Sequence, residues 1–146
     1  MGGYGALKVG LTHTEQYGTI ASFSGAVDLG KMFQSMGDSL DPKSLAEYQG
    51  IFGTEMQLLP EDDILHLTRE HAHLPKEQQC RFFISCGTED NIPTLYESNV
   101  EYVKLLKELG LDCIWFEQKG IHEWGVWDEA VREALNRFDG ERIYYV

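Results

Sequence analysis

An aspartate and a histidine lie at positions where acid–base catalysis is common. Asp90 follows the apolar segment 80–86 by four residues, and His122 follows the apolar segment 113–116 by six residues. If these segments are neighbouring parallel strands, the two side chains meet at the carboxyl end of the sheet, where ligand sites of α/β proteins lie. An aspartate bonded to a histidine fixes the tautomer of the ring, which can then take a proton from a nucleophile and return it to a leaving group. The spacing therefore predicts an acid–base pair.

Each member of this pair also has a simpler interpretation. Asp90 could be a turn acid or a helix cap, and its neighbour Glu89 is an alternative carboxylate. His122 could be a loop histidine without a function, because aspartate and histidine are common in loops. The spacing alone leaves these alternatives open.

A nucleophile to accompany the pair is harder to find. Ser22, Ser24 and Ser85 lie in or at the end of predicted strands, and Cys86 lies at a strand end before Gly87. None of them stands in a Gly-x-Ser-x-Gly turn, which exposes a serine between a strand and a helix. We therefore expect none of these side chains to act as the nucleophile.

The pattern of apolar residues predicts the elements that position the pair. Segments 19–24, 80–86 and 113–116 have the character of short strands, and segments 2–17, 94–109 and 124–138 have that of helices. Strands that alternate with helices through short connections are typical of an α/β fold with a parallel sheet. We expect one domain over residues 1–146, with an excursion at about 28–79 in which 44–48, capped by Ser44, and 60–70 are helical.

Three glycines stand at the start of the first predicted helix. Gly2, Gly3 and Gly5 would let this helix begin very close to a neighbouring backbone. A glycine-rich start can also hold a phosphate, but the Lys-Ser/Thr partner of a P-loop is absent. Close packing is therefore the interpretation that we favour.

Charge and cysteine content restrict the partners and the compartment. The sequence has 24 acidic and 12 basic residues, and its net charge of −12 repels phosphate backbones and anionic lipid surfaces. We therefore expect neither nucleic acid nor a membrane as a partner. No apolar run approaches the roughly 20 residues of a membrane span, and the start lacks a signal-peptide pattern, which favours the cytoplasm. Cys80, Cys86 and Cys113 fall on or beside apolar segments, which favours reduced, buried thiols.

A second group of polar residues could bind a metal ion. His66 and Glu70 are four residues apart, and His71 and His73 follow, so that imidazole and carboxylate ligands of the kind zinc accepts are available. No HExxH order is present, and a solvated polar helix end explains the same residues. We therefore predict no metal ion at this group.

Four motifs, in order, resemble one family of enzymes. Residues 1–8 resemble the segment that follows the nucleophile in the Gly-x-Ser-x-Gly turn of the esterase-D-like group of α/β-hydrolases. Residues 23–28 resemble the strand after that helix, residues 86–90 the acid loop, and residues 120–124 with Trp127 the histidine loop. The resemblance spans nearly the whole chain and is closest to tributyrin esterases and S-formylglutathione hydrolases.

This resemblance implies a fold, an activity and a role for three residues. The fold would be the C-terminal half of an α/β-hydrolase-like three-layer sandwich with a parallel sheet. Asp90 would be the triad acid, His122 the general base, and Met1 the residue after the nucleophile, whose backbone N–H contributes to the oxyanion hole. The substrate would be a small-molecule ester with a short acyl group, cleaved through an acyl-serine intermediate without a metal ion or an organic cofactor. Trp124 and Trp127 would form part of the wall of the site.

In the family the Gly-x-Ser motif stands immediately before the position of Met1. We therefore expect the nucleophile and the first strands upstream of this segment, and the chain to be inactive alone. Segment 19–24 would then be an open sheet edge, which predicts low stability, a homo-oligomer, or a need for the N-terminal half. An acyltransferase of the same family and a non-catalytic binding fragment remain as alternatives.

Overall fold

Three parallel strands form the centre of the structure. The computed structural model describes residues 1–36 and 40–139. Its strands, in the order β1-β2-β3, are β1 (Thr19–Phe23), β2 (Arg81–Gly87) and β3 (Cys113–Gln118). In register, Ile20 lies beside Phe82, and Phe82 lies beside Cys113. The central strand β2 is buried along its whole length after its first residue, as is typical of a parallel strand covered on both faces. The predicted α/β class and parallel sheet are confirmed.

Helices alternate with these strands. They are α1 (Gly2–Thr12), α2 (Leu29–Met36), α3 (Pro42–Phe52), α4 (Ile64–Ala72), α5 (Leu95–Glu108) and α6 (Trp124–Asp139). Short 3₁₀ turns cover Pro60–Asp62 and Lys76–Gln78. None of the helices that the structure describes combines the length and the apolar character needed to cross a bilayer.

Alternation of side chains along the strands creates an apolar layer on each face of the sheet. On one face, Ile20 and Ile84 belong to a core that includes Leu7 of α1 and Leu106 of α5. On the other face, Phe83 is the centre of an aromatic cluster. Its ring centroid lies 6.0 Å from that of Phe23, 6.0 Å from that of Phe116 and 6.1 Å from that of Phe138 in α6. The sheet is therefore the middle of three layers.

The excursion between β1 and β2 begins with a helix that we did not predict from the sequence. Helix α2 forms although Gly30 weakens it, because the carboxylate of Asp28 accepts the N–H of Lys31 and satisfies a donor of the first turn. Residues 37–39 of the excursion lie outside the described residues.

The next two helices begin at other residues than predicted. Asp41, and not Ser44, caps α3, since the Asp41 carboxylate accepts the N–H groups of Lys43 and Ser44. Pro42 occupies the first helical position, where no N–H is needed. The predicted helix 60–70 divides into a 3₁₀ turn and α4, which is capped by the carboxylate of Asp63. Short polar caps, and not the apolar pattern, thus fix these boundaries.

His71 is one of the four residues that we considered for metal binding, and the structure gives it another role. His71 is buried, and its Nε2 accepts the backbone N–H of Cys80 at 2.9 Å. Among the described residues, no three His, Cys, Asp or Glu side chains are placed to hold one ion. The structure therefore gives His71 a role in packing, with its ring against Phe82 at a centroid distance of 5.7 Å.

Strand β1 is an edge of the sheet, as the family resemblance led us to expect. It pairs with β2 on one side and with no other strand in the described part of the chain. Helix α1 packs on β1 at very short range, because a Cβ added to Gly3 would lie 2.6 Å from Gly25 Cα and 2.6 Å from Ser22 Oγ. A Cβ added to Gly5 or Gly2 would contact nothing within 4 Å, so only one of the three predicted glycines is required for close approach.

The glycines of α1 give a matched pair of stability variants. We expect Gly3→Ala to destabilise the protein by about 1–3 kcal/mol, because the new methyl group overlaps with backbone. We expect Gly5→Ala to stabilise it by about 0.5–1 kcal/mol, because alanine favours a helix and has space there. Urea unfolding followed by circular dichroism measures both values. Equal effects of the two substitutions would contradict the packing described for Gly3.

Burial of His71 predicts how stability depends on pH. Burial lowers the pKa of His71 in the folded state below its ordinary value. The unfolded chain then binds a proton at His71 before the folded chain does. We therefore expect the free energy of unfolding to fall as the pH decreases below about 6.5. In urea unfolding at pH 7.5, 6.5 and 5.5, His71→Gln should reduce this slope and the exposed control His73→Gln should keep it. An unchanged slope in His71→Gln would contradict the prediction.

Candidate active site

The structure brings Asp90 and His122 together. His122 Nδ1 lies 2.9 Å from Asp90 Oδ2, in a loop after β3 and a loop after β2 respectively. The Asp90 side chain has no exposed surface, and that of His122 is 26% exposed. Asp90 Oδ1 accepts the backbone N–H of Ile92 at 3.0 Å. Oδ1 of Asp90 therefore bonds the loop backbone and Oδ2 bonds the imidazole, and His122 Nε2 has no hydrogen-bond partner among the described residues.

Backbone contacts hold the two loops side by side. The N–H of Thr88 donates to the carbonyl of Gln118 at 2.9 Å, and the N–H of Glu89 donates to that of Gly120 at 3.0 Å. Gly87 permits this approach, because a Cβ at that position would lie 2.3 Å from the Gly120 carbonyl oxygen. The parallel ladder thus continues beyond the strands and fixes the separation of acid and base.

The carboxylate of the neighbouring residue, Glu89, faces solvent and not the imidazole. Glu89 forms an ion pair with Lys119 at 3.7 Å, and its side chain is 54% exposed. The geometry therefore separates Asp90, which meets the imidazole, from Glu89, which faces solvent. The sequence alone had left both carboxylates open.

A thiol lies against the same carboxylate. Cys86 Sγ is 3.8 Å from Asp90 Oδ2. Burial, followed by the nearby Asp90 charge, raises the pKa of the Cys86 thiol to about 12. The thiol stays protonated at neutral pH, so that it can donate to Asp90 and is a poor nucleophile. Its position beside the acid could not be read from the sequence, which showed only a cysteine at a strand end.

A tryptophan and a serine support the other side of the imidazole. The Trp127 ring meets the His122 ring edge-on, with centroids 4.9 Å apart, and Trp127 Nε1 donates to Ser24 Oγ at 3.2 Å. Ser24 is buried at the end of β1 and has a φ of 45°, in the left-handed region. Trp127 is therefore more than the pocket wall that the sequence suggested. Trp124, in contrast, is 80% exposed.

Two cavities meet at His122. The first, which we call the edge groove, has a volume of about 400 Å³, runs beside β1, and is lined by residues that include Ala21, Phe23 and Trp124. The second, which we call the methionine pocket, has a volume of about 260 Å³ and is lined by residues that include Ala26, Met32, Met36, Ile92 and Leu95. Met1 and Ser24 line both cavities, as His122 does. A substrate at His122 could therefore extend in two directions.

The remaining predicted site residue, Met1, lies at the mouth of these cavities. It is the N-cap of α1, and its side chain is largely exposed. The positive end of the helix dipole therefore points towards the site, although a role of Met1 in an oxyanion hole stays a prediction. Ser22 and Ser85 are fully buried and line neither cavity.

The contact between Trp127 and Ser24 predicts the effect of a small change. Trp127→Phe keeps an aromatic ring beside His122 but removes the donor to Ser24, and we expect a loss of about 0.5–1.5 kcal/mol in stability. We also expect faster water exchange of the His122 Nδ1 proton, measured as a broader low-field proton NMR signal. Trp124→Phe is the control, since it keeps an aromatic ring against Trp127, where the two centroids lie 5.3 Å apart, and it should change neither value. A sharp, unchanged signal in Trp127→Phe would show that Trp127 does not position His122.

The chain is similar to two esterases and to an acetyltransferase. The chain is 28% identical over 141 residues to an acetyl esterase of Caldicellulosiruptor saccharolyticus, a match that covers 92% of the chain and 50% of the relative. A solved ferulic acid esterase resembles it with a TM-score of 0.62 at 18% identity, over 92% of the chain and 46% of that structure. The capsule O-acetyltransferase of Neisseria meningitidis serogroup A gives a TM-score of 0.59 at 18% identity, over 96% of the chain and 52% of that structure.

The two structural likenesses concern the fold, which is part of an α/β-hydrolase-like arrangement. The chain spans about half the length of the relatives that it matches. A family model described as "Putative esterase" matches residues 1–138. This match covers almost the whole chain, and the chain therefore belongs to that esterase family.

Proposed function

We propose that this chain carries the acid and the base of a serine-type hydrolase that cleaves small carboxylic esters with a short acyl group. The observation that carries the proposal is the buried Asp90 carboxylate, which holds Nδ1 of His122, a residue that lines two cavities. Membership of an esterase family and the likeness to an acetyl esterase support an acyl ester as the substrate.

In this proposal, His122 moves protons and Asp90 holds it in place. His122 Nε2 takes the proton of a serine hydroxyl as the serine oxygen attacks the ester carbonyl, and then gives that proton to the leaving alcohol. Water repeats the sequence: it gives a proton to His122, attacks the acyl-serine, and releases the acid as the proton returns to the serine. Asp90 keeps the second ring nitrogen protonated and stabilises the imidazolium, and needs no proton itself.

The nucleophile in this proposal comes from a Gly-x-Ser turn directly before Met1, as in the family that the sequence resembles. The start of α1 would then follow the serine, and the backbone N–H at Met1 would face the oxyanion. The site requires no metal ion or organic cofactor for these steps. The free thiols of Cys80, Cys86 and Cys113 suit a reducing compartment such as the cytoplasm.

Hydrolysis of p-nitrophenyl butyrate tests the proposal. We expect activity in a version extended upstream to include the Gly-x-Ser turn, and little in the present chain. His122→Ala in the extended version should lower kcat by about 10²–10⁴-fold, because the general base is lost. Glu89→Gln is the matched control, since Glu89 is an exposed carboxylate next to Asp90, and it should leave kcat unchanged. Full activity of His122→Ala, or an inactive extended version, would contradict the proposal.

Three further outcomes of the same assay would change the assignment. His122-dependent activity in the present chain that disappears in Ser24→Ala would identify Ser24, which lines both cavities, as the nucleophile. Ester formation in preference to hydrolysis, when an alcohol is added, would identify an acyltransferase. Inactivity of both versions would favour a binding role for the chain.

A further inference from the structure

The methionine pocket is lined by apolar side chains from several elements. Met32 and Met36 come from α2, Ile92 lies in the loop after β2, Leu95 is the first residue of α5, and Ala26 follows β1. The polar residues that line it are His122, Ser24, Asn91 and Tyr48, so the pocket has polar groups at the candidate base and a mostly apolar remainder.

The lining determines which chemistry fits the pocket. No Lys, Arg, Asp or Glu is among the described residues that line it. A charged group would therefore lose much of its hydration there without meeting a Lys, Arg, Asp or Glu of opposite charge, whereas an aliphatic chain would lose no hydrogen bonds. Methionine side chains are flexible and polarisable, so that Met32 and Met36 can adapt to chains of different lengths. The pocket is thus suited to an uncharged aliphatic group.

The volume of the pocket exceeds what the smallest acyl group needs. An acetyl group would insert one methyl, which is comparable in size to a water molecule with its share of about 30 Å³. The pocket offers about 260 Å³. A longer straight chain would fill this space and cover more of the apolar lining, which favours binding by about fourfold for each additional buried methylene.

The edge groove is a less suitable site for such a chain. Ala21 and Phe23 on its floor belong to β1, whose outer backbone groups are unpaired by any described strand. Trp124 on its rim is 80% exposed. Backbone donors and acceptors along a strand edge require hydrogen-bond partners, which an aliphatic chain does not supply. The apolar side chains of the methionine pocket need no hydrogen-bond partners.

We propose that the methionine pocket binds the acyl chain of the substrate and selects uncharged aliphatic acyl groups longer than acetyl. This inference rests on the proposed ester hydrolysis at His122, and it places the acyl group of the substrate on the side of α2. The preference would differ from the acetyl group in the name of the Caldicellulosiruptor saccharolyticus relative.

The four methionines of the sequence provide the measurement. Met1, Met32 and Met36 line the pocket, whereas Met56 lines a different cavity and serves as an internal control. The chain is labelled with ¹³C at the methionine methyl groups and titrated with methyl acetate, methyl butyrate and methyl hexanoate, while methanol release is followed in the same spectra. We expect methyl hexanoate to shift the signals of Met32 and Met36 but not that of Met56. Its affinity should exceed that of methyl acetate by about 100-fold or more, for four additional methylenes.

A filled pocket should lose this preference. Ala26→Leu places additional atoms in the pocket and should weaken binding of methyl hexanoate at least tenfold, whereas Ala21→Leu in the edge groove should not. If Ala26→Leu lowers the melting temperature so far that the chain is unfolded, Ile92→Trp replaces it.

Binding and turnover give separate results in this titration. Equal affinities for the three esters, joint movement of Met56, or tight binding of methyl hexanoate in both filling variants would overturn the pocket assignment. Chain-length-dependent binding without methanol release, in the extended version as well, would overturn the proposed hydrolysis while the ligand preference of the pocket stands.

Discussion

The candidate site depends on one buried negative charge. The Asp90 side chain has no exposed surface, and a carboxylate removed from water costs several kcal/mol unless donors replace its hydration. Three donors converge on it: the N–H of Ile92, the thiol of Cys86 and the ring of His122. Ile92 and Cys86 lie within four residues of Asp90, whereas His122 comes from the loop after β3, so all three donors reach the carboxylate only when the two loops are side by side. The bond between Asp90 and His122 therefore both stabilises the buried carboxylate and holds the imidazole in place.

The sheet positions the two loops that carry Asp90 and His122. The ladder between β2 and β3 continues into the two loops through the N–H groups of Thr88 and Glu89, and Gly87 allows the loops to touch. On the other side, the N–H of Ser24 donates to the carbonyl of Ser85 at 2.7 Å, which fixes the end of β1 where Trp127 is anchored. A shift of any strand by one residue would move a support of His122, because alternate side chains face opposite sides of the sheet.

The sequence predicted the parts of the molecule that depend on local patterns. The strands, the two last helices and the Asp90 and His122 loops follow from apolar runs and from the turns that end them, and the resemblance supplied a family that the comparison confirms. Helix α2 was missed because its evidence lies in one capping contact of Asp28, which a pattern weakened by Gly30 does not reveal. The contact between Trp127 and Ser24 joins residues 103 positions apart, so that no local pattern could indicate it.

The open edge of β1 and the edge groove at His122 share one surface. The outer edge of β1 carries neither a proline nor a charged residue that would discourage pairing, and Val9 and Tyr17 remain 45% and 43% exposed in a groove beside it. The edge groove at His122 lies along this same strand. The acid and the base, in contrast, are held by β2, β3 and their loops. A strand that paired with β1 would therefore bury exposed apolar area, at about 25 cal/mol per Å². It would also close the edge groove beside an acid–base pair that is already assembled.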